Sequence, residues 1–85
     1  MKIQYSLRGW DDYRHWQHTD VRMLQRINDL LTDISLLPHE GIGKPELLRH
    51  ALSGYWSRRI NDEHRLVYRF EGDTVKVAQA RYHYE

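Results

Sequence analysis

The sequence feature that most constrains the fold is residues 54–70, GYWSRRINDEHRLVYRF. Alternating apolar and polar residues on either side of the polar stretch 61–63 are the pattern of a β-hairpin. A three-residue loop of Asn61, Asp62 and Glu63 usually needs one residue in the left-handed conformation, which Asn or Asp tolerates. This loop length predicts that Ile60 lies opposite His64 across the hairpin.

The loop length also decides how the hairpin side chains divide between the two faces of the sheet, because successive strand residues point to opposite sides. One face receives an apolar set: Trp56, Ile60, Leu66, Tyr68 and Phe70. The other receives Tyr55, Ser57, Arg59, Arg65, Val67 and Arg69. Only Arg58 is out of place, on the apolar face. The hairpin therefore predicts one core-facing surface and one basic surface suited to phosphate.

The composition limits the size and environment of the protein. A chain of 85 residues is enough for one domain, residues 1–85, with a single small core. It contains no cysteine, which excludes disulfides and cysteine-based zinc sites and fits a reducing compartment. No signal peptide is recognisable, and no apolar run approaches the roughly 18 residues of a membrane span. We therefore expect a soluble, cytoplasmic protein without a membrane segment.

Charge is distributed unevenly along the chain. Residues 1–43 carry five basic and six acidic side chains, whereas residues 44–84 carry eight basic and five acidic ones. The C-terminal half is therefore expected to face an anionic partner. This signal is weak by itself, because basic surfaces of small domains are commonly only solvated.

Two helices are predicted before the hairpin. Residues 2–5 can form a short strand, and Ser6 is placed to cap a helix over residues 7–18, which Gly9 should weaken. Three aromatic residues recur on this helix at a spacing that favours core packing or a dimer contact over stacking on nucleic acid: Trp10, Tyr13 and Trp16.

The second helix should be capped by Thr19 or Asp20 and end at Pro38. Its apolar stripe consists of Met23, Leu24, Ile27, Leu30, Leu31 and Ile34. Its outer face is expected to carry ordinary surface ion pairs among Arg22, Arg26, Asp29 and Asp33. The two helices should form a hairpin that covers one face of the sheet.

Residues 39–53 are punctuated by glycine and proline, as functional loops often are. Pro45 is predicted to open a short helical turn that contains Glu46, with the following leucines anchoring the turn to the core. The Gly-x-Gly-Lys-Pro string of residues 41–45 lacks the context of a phosphate-binding loop, so nucleotide hydrolysis is not expected.

The C-terminal region predicts the last strand and completes the fold class. Residues 74–84 alternate as one long strand, with Val75, Val77, Gln79, Arg81 and His83 on one face, and would deliver His83 and Tyr84 to the sheet edge. We therefore expect an α+β fold with two N-terminal helices packed on an antiparallel sheet.

Three residues have the chemistry needed to cut RNA without a metal. Glu46 can take the proton of a ribose 2′-hydroxyl, Arg65 can stabilise the charge that develops on phosphorus, and His83 can protonate the leaving oxygen. Arg59 can add a second contact to the phosphate. Stacking on a base is open to either of two tyrosines, Tyr55 or Tyr84.

Ordinary structural roles are open to the same residues. Glu46 can favour a helix N-terminus and Arg65 can pair with an acid of the 61–63 loop. His83 can lie at a frayed chain end. A three-histidine metal site matches no short ligand motif: His50, His64 and His83.

Several motifs resemble those of one family, the YoeB (Txe) toxins of the RelE-like superfamily. They are WDDY at 10–13, GKPE at 43–46, LSGYWSRRI at 52–60, EHRLVY at 63–68 and RYHY at 81–84. Together with the long second helix, they extend over almost the whole chain.

This resemblance implies a toxin of a type II toxin-antitoxin pair with the microbial-ribonuclease fold. Members of the family are homodimeric, ribosome-dependent mRNA endoribonucleases that cleave in the A site, beside rRNA, without a cofactor. They are neutralised by a YefM-like antitoxin whose disordered C-terminal segment wraps the toxin.

The resemblance also assigns roles to individual residues. The family's catalytic glutamate, arginine and histidine fall on Glu46, Arg65 and His83. Supporting or RNA-binding positions fall on Arg49, Arg59, Glu63 and Tyr84. Arg49 stands where lysine is common, and Glu85 extends the chain one residue beyond the usual closing tyrosine.

Two other functions compete with the nuclease. A non-catalytic toxin of the same superfold, like the ParE proteins that act on DNA gyrase, needs no acid, base and arginine on one face. A plain RNA-binding module needs none either. The combination of Glu46, Arg65 and His83 therefore favours the nuclease.

Overall fold

The computed structural model describes residues 1–83. In chain order its elements are β1 (Lys2–Tyr5), α1 (Leu7–Thr19), α2 (Val21–Leu36), β2 (Glu46–Leu47), a 3₁₀ helix (His50–Leu52), β3 (Trp56–Arg59), β4 (Arg65–Glu71) and β5 (Thr74–Gln79). Tyr84 and Glu85 lie outside the described residues, so the predictions that concern them have no structural counterpart.

The sheet has five strands in the order β1-β5-β4-β3-β2. β1 is parallel to β5, and the other neighbours are antiparallel. Both helices lie on one face, because residues of α1 and α2 share a buried cluster with residues of β4 and β5. The predicted α+β class with two N-terminal helices is confirmed, although the sheet is mixed rather than purely antiparallel.

The hairpin has the predicted register. Trp56 pairs with Tyr68, and the Ile60 N–H donates to the His64 carbonyl at 2.9 Å. The loop is held by the Asn61 side chain, whose Oδ1 accepts the N–H groups of Glu63 and His64 at 2.9 and 2.7 Å. The predicted left-handed residue is absent, because no residue of the 61–63 loop has a positive φ. The Asn61 side chain holds the loop instead, through these two bonds.

The core joins the helices to the apolar face of the hairpin. Its buried members are Trp16, Ile27, Leu30, Leu31, Ile34, Ile60, Leu66, Tyr68, Val75, Val77 and Ala80, with Trp56 and Phe70 packed against them. Among the aromatic residues of α1, Trp16 enters this core, whereas Trp10 stacks on Tyr13 nearer the surface. The apolar stripe of α2 is thus confirmed, and core packing is confirmed for Trp16.

The helix starts follow the predicted caps. Ser6 Oγ accepts the Gly9 N–H at 3.0 Å, and the Asp20 carboxylate accepts the Arg22 N–H at 3.0 Å. Gly9 has a packing role beyond its low helix propensity, because a Cβ there would lie 2.6 Å from the Val77 carbonyl oxygen. A side chain at this position would push α1 away from β5.

Arg58, the one residue out of pattern in the hairpin, is completely buried. Its Nε donates to the Tyr68 hydroxyl at 2.9 Å, and Nη1 donates to Asp33 Oδ2 at 2.6 Å. Its other bonds are to three carbonyls, those of Leu37 (2.6 Å), Glu40 (2.8 Å) and Ile42 (3.2 Å). A guanidinium has five N–H donors, and these five bonds match that number. The apolar face therefore accepts a charge because every donor is satisfied.

The prediction that the outer residues of α2 form only surface pairs is wrong for two of them. Asp33 binds buried Arg58 and also accepts the Ile42 N–H at 2.9 Å. Arg26 donates from Nε to the Ile60 carbonyl at 3.3 Å. The helical period alone could not show these partners, which lie on a loop and on the hairpin.

The predicted helical turn at Glu46 is also wrong. Residues 46 and 47 form β2 instead, since this segment supplies the outer partner of β3. The Leu48 N–H continues the contact by donating to the Tyr55 carbonyl at 2.9 Å. Leu48 is buried, as predicted, whereas Leu47 is exposed.

The last strand is shorter than predicted, because β5 ends at Gln79. Val67 pairs with Gln79 but the next residue, Tyr68, pairs with Val77, so Ala78 is an extra residue in β5. Such a bulge reverses the alternation of faces beyond it. Gln79 consequently lies on the basic face with Val67, not on the face of Val77, and Ala80 enters the core in its place.

Replacing Arg58 by methionine should destabilise the protein by about 3–5 kcal/mol, because the Asp33 carboxylate and the carbonyls would lose their buried donors. Urea unfolding of Arg58→Met measures this loss. The matched control is Arg14→Met on the exposed face of α1, which should change stability by no more than about 0.5 kcal/mol. Equal stabilities of the two variants would contradict a structural role for Arg58.

The same cluster should appear in the acid dependence of stability. The hydrogen bonds from the Ile42 N–H and from Arg58 hold the pKa of Asp33 below its ordinary value. The unfolded chain therefore takes up this proton at the higher pH, and the stabilisation is lost as pH falls below about 4 toward the folded-state pKa. Asp33→Asn should have a shallower loss of stability over this pH range, and an unchanged slope would count against the assignment.

Candidate active site

The face of the sheet opposite the helices carries a row of four directly paired residues, one on each of four adjacent strands. Glu46 pairs with Ser57, Ser57 with Val67, and Val67 with Gln79. Paired residues point to the same side of a sheet. With strands about 4.8 Å apart, the row extends roughly 14 Å from the Glu46 backbone to that of Gln79.

Arg59 and Arg65 lie beside the middle of this row. They pair directly across β3 and β4, and each is two residues from the row, so both share its face. The Arg65 guanidinium Nη1 donates to Ser57 Oγ at 3.3 Å. Ser57 is thus a buried anchor for Arg65, and two arginines stand on neighbouring strands, on the same face, where β3 and β4 meet the hairpin loop.

Glu46 is exposed at the outer end of the row, on the edge strand β2. The loop before it is tightly packed: a Cβ on Gly43 would lie 2.7 Å from Leu30 and 3.1 Å from the Arg59 carbonyl oxygen. The Gly43 carbonyl in turn accepts the Arg59 N–H at 2.6 Å. These contacts fix the entry to β2 and therefore the position of Glu46.

An open cavity of about 510 Å³ adjoins the carboxylate end of the row. It is lined by Glu46, Leu47, Leu48, Arg49 and His50. The cavity brings the predicted supporting residue Arg49 to the same opening as Glu46.

The other end of the row holds residues 80–83, which follow β5. The Gln79 amide Nε2 donates to the His83 carbonyl at 2.6 Å, and the Arg65 N–H donates to the Tyr82 carbonyl at 2.9 Å. The His83 residue is exposed. The structure therefore places Glu46, Arg59 and Arg65 on one face and anchors the backbone of His83 at the end of that face.

His64 and Glu63 lie beside this C-terminal segment. The His64 Nδ1 accepts the Tyr82 N–H at 2.8 Å, and its ring packs edge-on against Trp16 with centroids 4.8 Å apart. An accepting Nδ1 leaves the proton on Nε2, which faces the Glu63 carboxylate at 3.4 Å. Glu63, predicted as a supporting residue, is thus placed against His64 in the hairpin loop.

The basic face is not uniformly positive. At its far end Glu71 Oε2 binds both Arg69 Nη1 and Lys76 Nζ, at 3.0 and 2.8 Å. Hydrogen bonds from Lys76 and Arg69 lower the pKa of Glu71, so the carboxylate stays ionised and compensates them. At this end of the face, one carboxylate therefore partly neutralises the charge of Arg69 and Lys76.

Sequence reasoning missed His64, Gln79 and Asp12 as determinants of this site. Asp12 Oδ2 accepts the buried Ala80 N–H at 3.0 Å, which fixes the start of the C-terminal segment. Asp12 and His64 bind backbone groups far away in sequence, and no local pattern signals such contacts. Gln79 binds carbonyls only two to four residues further along the chain, but the turn that brings them to its side chain is irregular. For Gln79 the bulge at Ala78 also hid the correct face.

Within residues 1–83, no group of three or more His, Asp or Glu side chains is arranged to hold a metal ion. The three-histidine arrangement weighed from the sequence is therefore not formed there. No helix in this part of the chain is long and apolar enough to cross a membrane.

Comparisons with known proteins agree with the fold and identify the family. A family model described as YoeB-like toxin of bacterial type II toxin-antitoxin system matches residues 5–84. Toxin YoeB of Escherichia coli (strain K12) is 54% identical over 84 residues, which cover 99% of this chain and 100% of that toxin.

Solved structures are equally similar over the full length. A YoeB/ParE toxin from Agrobacterium tumefaciens superposes with a TM-score of 0.94 at 50% identity, over 99% of this chain and 100% of the other. Two Staphylococcus aureus structures, a heterotetrameric YoeB-YefM toxin-antitoxin complex and a YoeB dimer, each give a TM-score of 0.92 at 46% identity over 99% and 98% of the chains. The arrangement of two helices on a five-stranded sheet is thus shared with these toxins.

Proposed function

The chain belongs to the YoeB-like toxins of bacterial type II toxin-antitoxin systems, and on that basis we propose that it is a ribosome-dependent endoribonuclease that cleaves mRNA in the A site and so inhibits translation. The observation that carries the proposal is the row of paired residues from Glu46 to Gln79 on the sheet face opposite the helices. It has a carboxylate at Glu46, the neighbouring strand residues Arg59 and Arg65 beside its middle, and the His83 backbone anchored at its other end.

The proposed reaction is an internal phosphoryl transfer that needs no cofactor. Glu46 takes the proton of the ribose 2′-hydroxyl, and the 2′-oxygen forms a bond to the adjacent phosphorus. Arg65, assisted by Arg59, stabilises the added negative charge on the phosphoryl oxygens. His83 gives a proton to the departing 5′-oxygen as the P–O5′ bond breaks. The products are a 2′,3′-cyclic phosphate and a 5′-hydroxyl.

Dependence on the ribosome fits the exposed position of the proposed base, Glu46. Glu46 is exposed on an edge strand, so the protein itself encloses little of a flexible RNA. A ribosome can hold the mRNA in the in-line geometry that this open site does not impose. Arg49, at the opening beside Glu46, is suited to a neighbouring phosphate of mRNA or rRNA. Tyr84, outside the described residues, is the proposed stacking partner of a base.

The proposed protein partners are a YefM-like antitoxin and a second copy of the chain. The Staphylococcus aureus relatives that form a YoeB-YefM complex and a YoeB dimer support both partners. The proposed function requires ribosomes, so the expected location is the cytoplasm. The alternative is a non-catalytic, gyrase-directed toxin like ParE, for which the base, cation and acid would have no use.

Removing any one of the three chemical groups should abolish most cleavage. Glu46→Gln, Arg65→Ala and His83→Gln should each lower the cleavage rate by about 10² or more, because each group acts on charge or protons in the transition state. Primer extension on an mRNA in a translating extract measures the rate, and circular dichroism checks the fold.

Exposed residues of the same types supply matched controls: Glu40→Gln, Arg14→Ala and His18→Gln. These variants should cleave at the wild-type rate. A folded Glu46→Gln protein that cleaves normally would remove Glu46 from the mechanism. Translation inhibition without any mRNA cleavage by the wild type would instead favour a binding toxin.

The ends of the cut RNA should identify the nucleophile. The upstream fragment should end in a 2′,3′-cyclic phosphate or the monophosphate opened from it, and the downstream fragment should begin with a 5′-hydroxyl. Substituting hydrogen or methoxy for the 2′-hydroxyl at the cleaved nucleotide should block the reaction. Continued cleavage of that mRNA would mean that water attacks the phosphorus. Chelation of free divalent ions that spares the ribosome should leave the chemistry intact.

An antitoxin segment with acidic side chains should bind the basic face and compete with RNA. Guanidiniums that bind phosphate also bind carboxylates in a bidentate manner, so the affinity should fall with added salt. Titration of a labelled YefM-like peptide compares the wild type with Arg65→Glu, and Arg14→Glu is the control. Weaker binding of Arg65→Glu alone is expected. Equal affinities of all three proteins at low and high salt would place neutralisation on another surface.

A further inference from the structure

We propose that Gln79 is a positioning residue for His83, acting by holding the backbone of residues 81–83 at the end of the basic face. The inference rests on the proposed role of His83 as the acid. It extends that proposal by naming Gln79 as the residue that fixes the position of the His83 side chain.

The side-chain amide of Gln79 is surrounded by backbone carbonyls. Its Nε2 donates to the carbonyls of Arg81 at 2.7 Å and His83 at 2.6 Å, and lies 3.4 Å from that of Tyr82. Carbonyls only accept hydrogen bonds, so the amide orientation is determined by its surroundings. The two amide hydrogens serve the two short bonds, and the amide closes residues 81–83 into a compact turn.

Gln79 connects the proposed site to the C-terminal segment, because its backbone lies in the sheet and its side chain binds residues 81–83. It pairs with Val67 in the row of paired residues that begins at Glu46, and Val67 is two residues from Arg65 on the same face. The same side chain that ends the row therefore binds the carbonyl of His83. A displacement of this carbonyl would move the His83 imidazole relative to the phosphate that Arg65 is proposed to hold.

The turn needs such a support because its backbone is strained. Tyr82 has a φ of +65°, in the left-handed region that a residue with a side chain rarely adopts. His64 Nδ1 accepts the Tyr82 N–H, and the Arg65 N–H donates to the Tyr82 carbonyl. These two bonds hold the middle of the turn, whereas Gln79 makes the bond to the His83 carbonyl.

Loss of the amide should be local. The residue that begins the segment, Ala80, is held independently by Asp12 and by Trp16, whose Nε1 donates to the Ala80 carbonyl at 2.8 Å. The core and the start of the segment therefore stay in place when Gln79 changes. The carbonyls of Arg81 and His83 lose the Gln79 donor, whereas the Tyr82 carbonyl keeps the Arg65 N–H.

The test separates placement of the acid from general damage by changing the leaving group. Gln79→Met keeps the length of the side chain without a donor, and Gln79→Glu keeps its shape but presents oxygens to the carbonyls. The control is Gln17→Met on the exposed surface of α1. Each protein is first checked by thermal unfolding. Cleavage is then measured on ribosomes with an ordinary mRNA and with one carrying sulfur in place of the 5′-oxygen at the cut.

A thiolate leaves without protonation, because a thiol has a pKa near 8.5 and an alcohol one near that of water, about 16. We expect Gln79→Met and Gln79→Glu to cut ordinary mRNA roughly 10- to 100-fold more slowly than the wild type. With the sulfur-containing mRNA their rates should return to near the wild-type rate. His83→Gln should show the same recovery, and Glu46→Gln should be slow on both substrates.

The outcomes distinguish this inference from the proposed function. If His83→Gln recovers on the sulfur substrate but the folded Gln79 variants do not, or if those variants cut ordinary mRNA normally, Gln79 does not position the acid. If His83→Gln itself does not recover, the acid role of His83 is wrong and this inference is overturned with it. An unfolded Gln79→Met and an unfolded Gln79→Glu would assign Gln79 to stability instead.

Discussion

The rest of the structure depends on the hydrogen bonds of one buried cation, Arg58. Its guanidinium binds Asp33 on α2, the Tyr68 hydroxyl on β4 and three carbonyls of the connection between α2 and β2. Removing a charge from water costs several kcal/mol, which only a complete set of partners offsets. Because those partners lie on three different parts of the chain, the cluster fixes the helix layer, the sheet and the loop that precedes Glu46 relative to one another.

The helices cover only one side of the sheet, and the row from Glu46 to Gln79 lies on the other side, where Glu46 is exposed and Arg59 and Arg65 are half-buried. The helices occupy the apolar face, so Arg59 and Arg65 can be presented on a rigid backbone without burial in the core. Strand pairing fixes their separation more closely than a loop would. A face of this kind can accept a long flexible partner, either RNA or a peptide, but encloses little of it. The proposed function therefore includes the ribosome, which holds the mRNA.

What could be predicted from the sequence was determined by contacts close in the chain. The three-residue loop fixed the hairpin register, and the 3.6-residue period fixed the buried stripe of α2. The two-residue strand β2, the bulge at Ala78 and the parallel pairing of β1 with β5 depend on partners distant in sequence. The same distinction applies to the site: Arg59 and Arg65 follow from the alternation of the hairpin, whereas Gln79 and His64 act through carbonyl and N–H groups that no periodicity shows.

Both ends of the row from Glu46 to Gln79 lie in short segments that need support from other parts of the fold. Glu46 lies on a two-residue edge strand and His83 near a chain end, and short edges and termini ordinarily fray. At the first end, Arg58 and Asp33 bind the backbone of Ile42 in the loop before β2. At the second, side chains from the helices and the sheet bind the backbone of residues 80–83. Buried polar side chains thus replace regular secondary structure at both ends, because hydrogen bonds to backbone groups can fix a segment too short to have a core of its own.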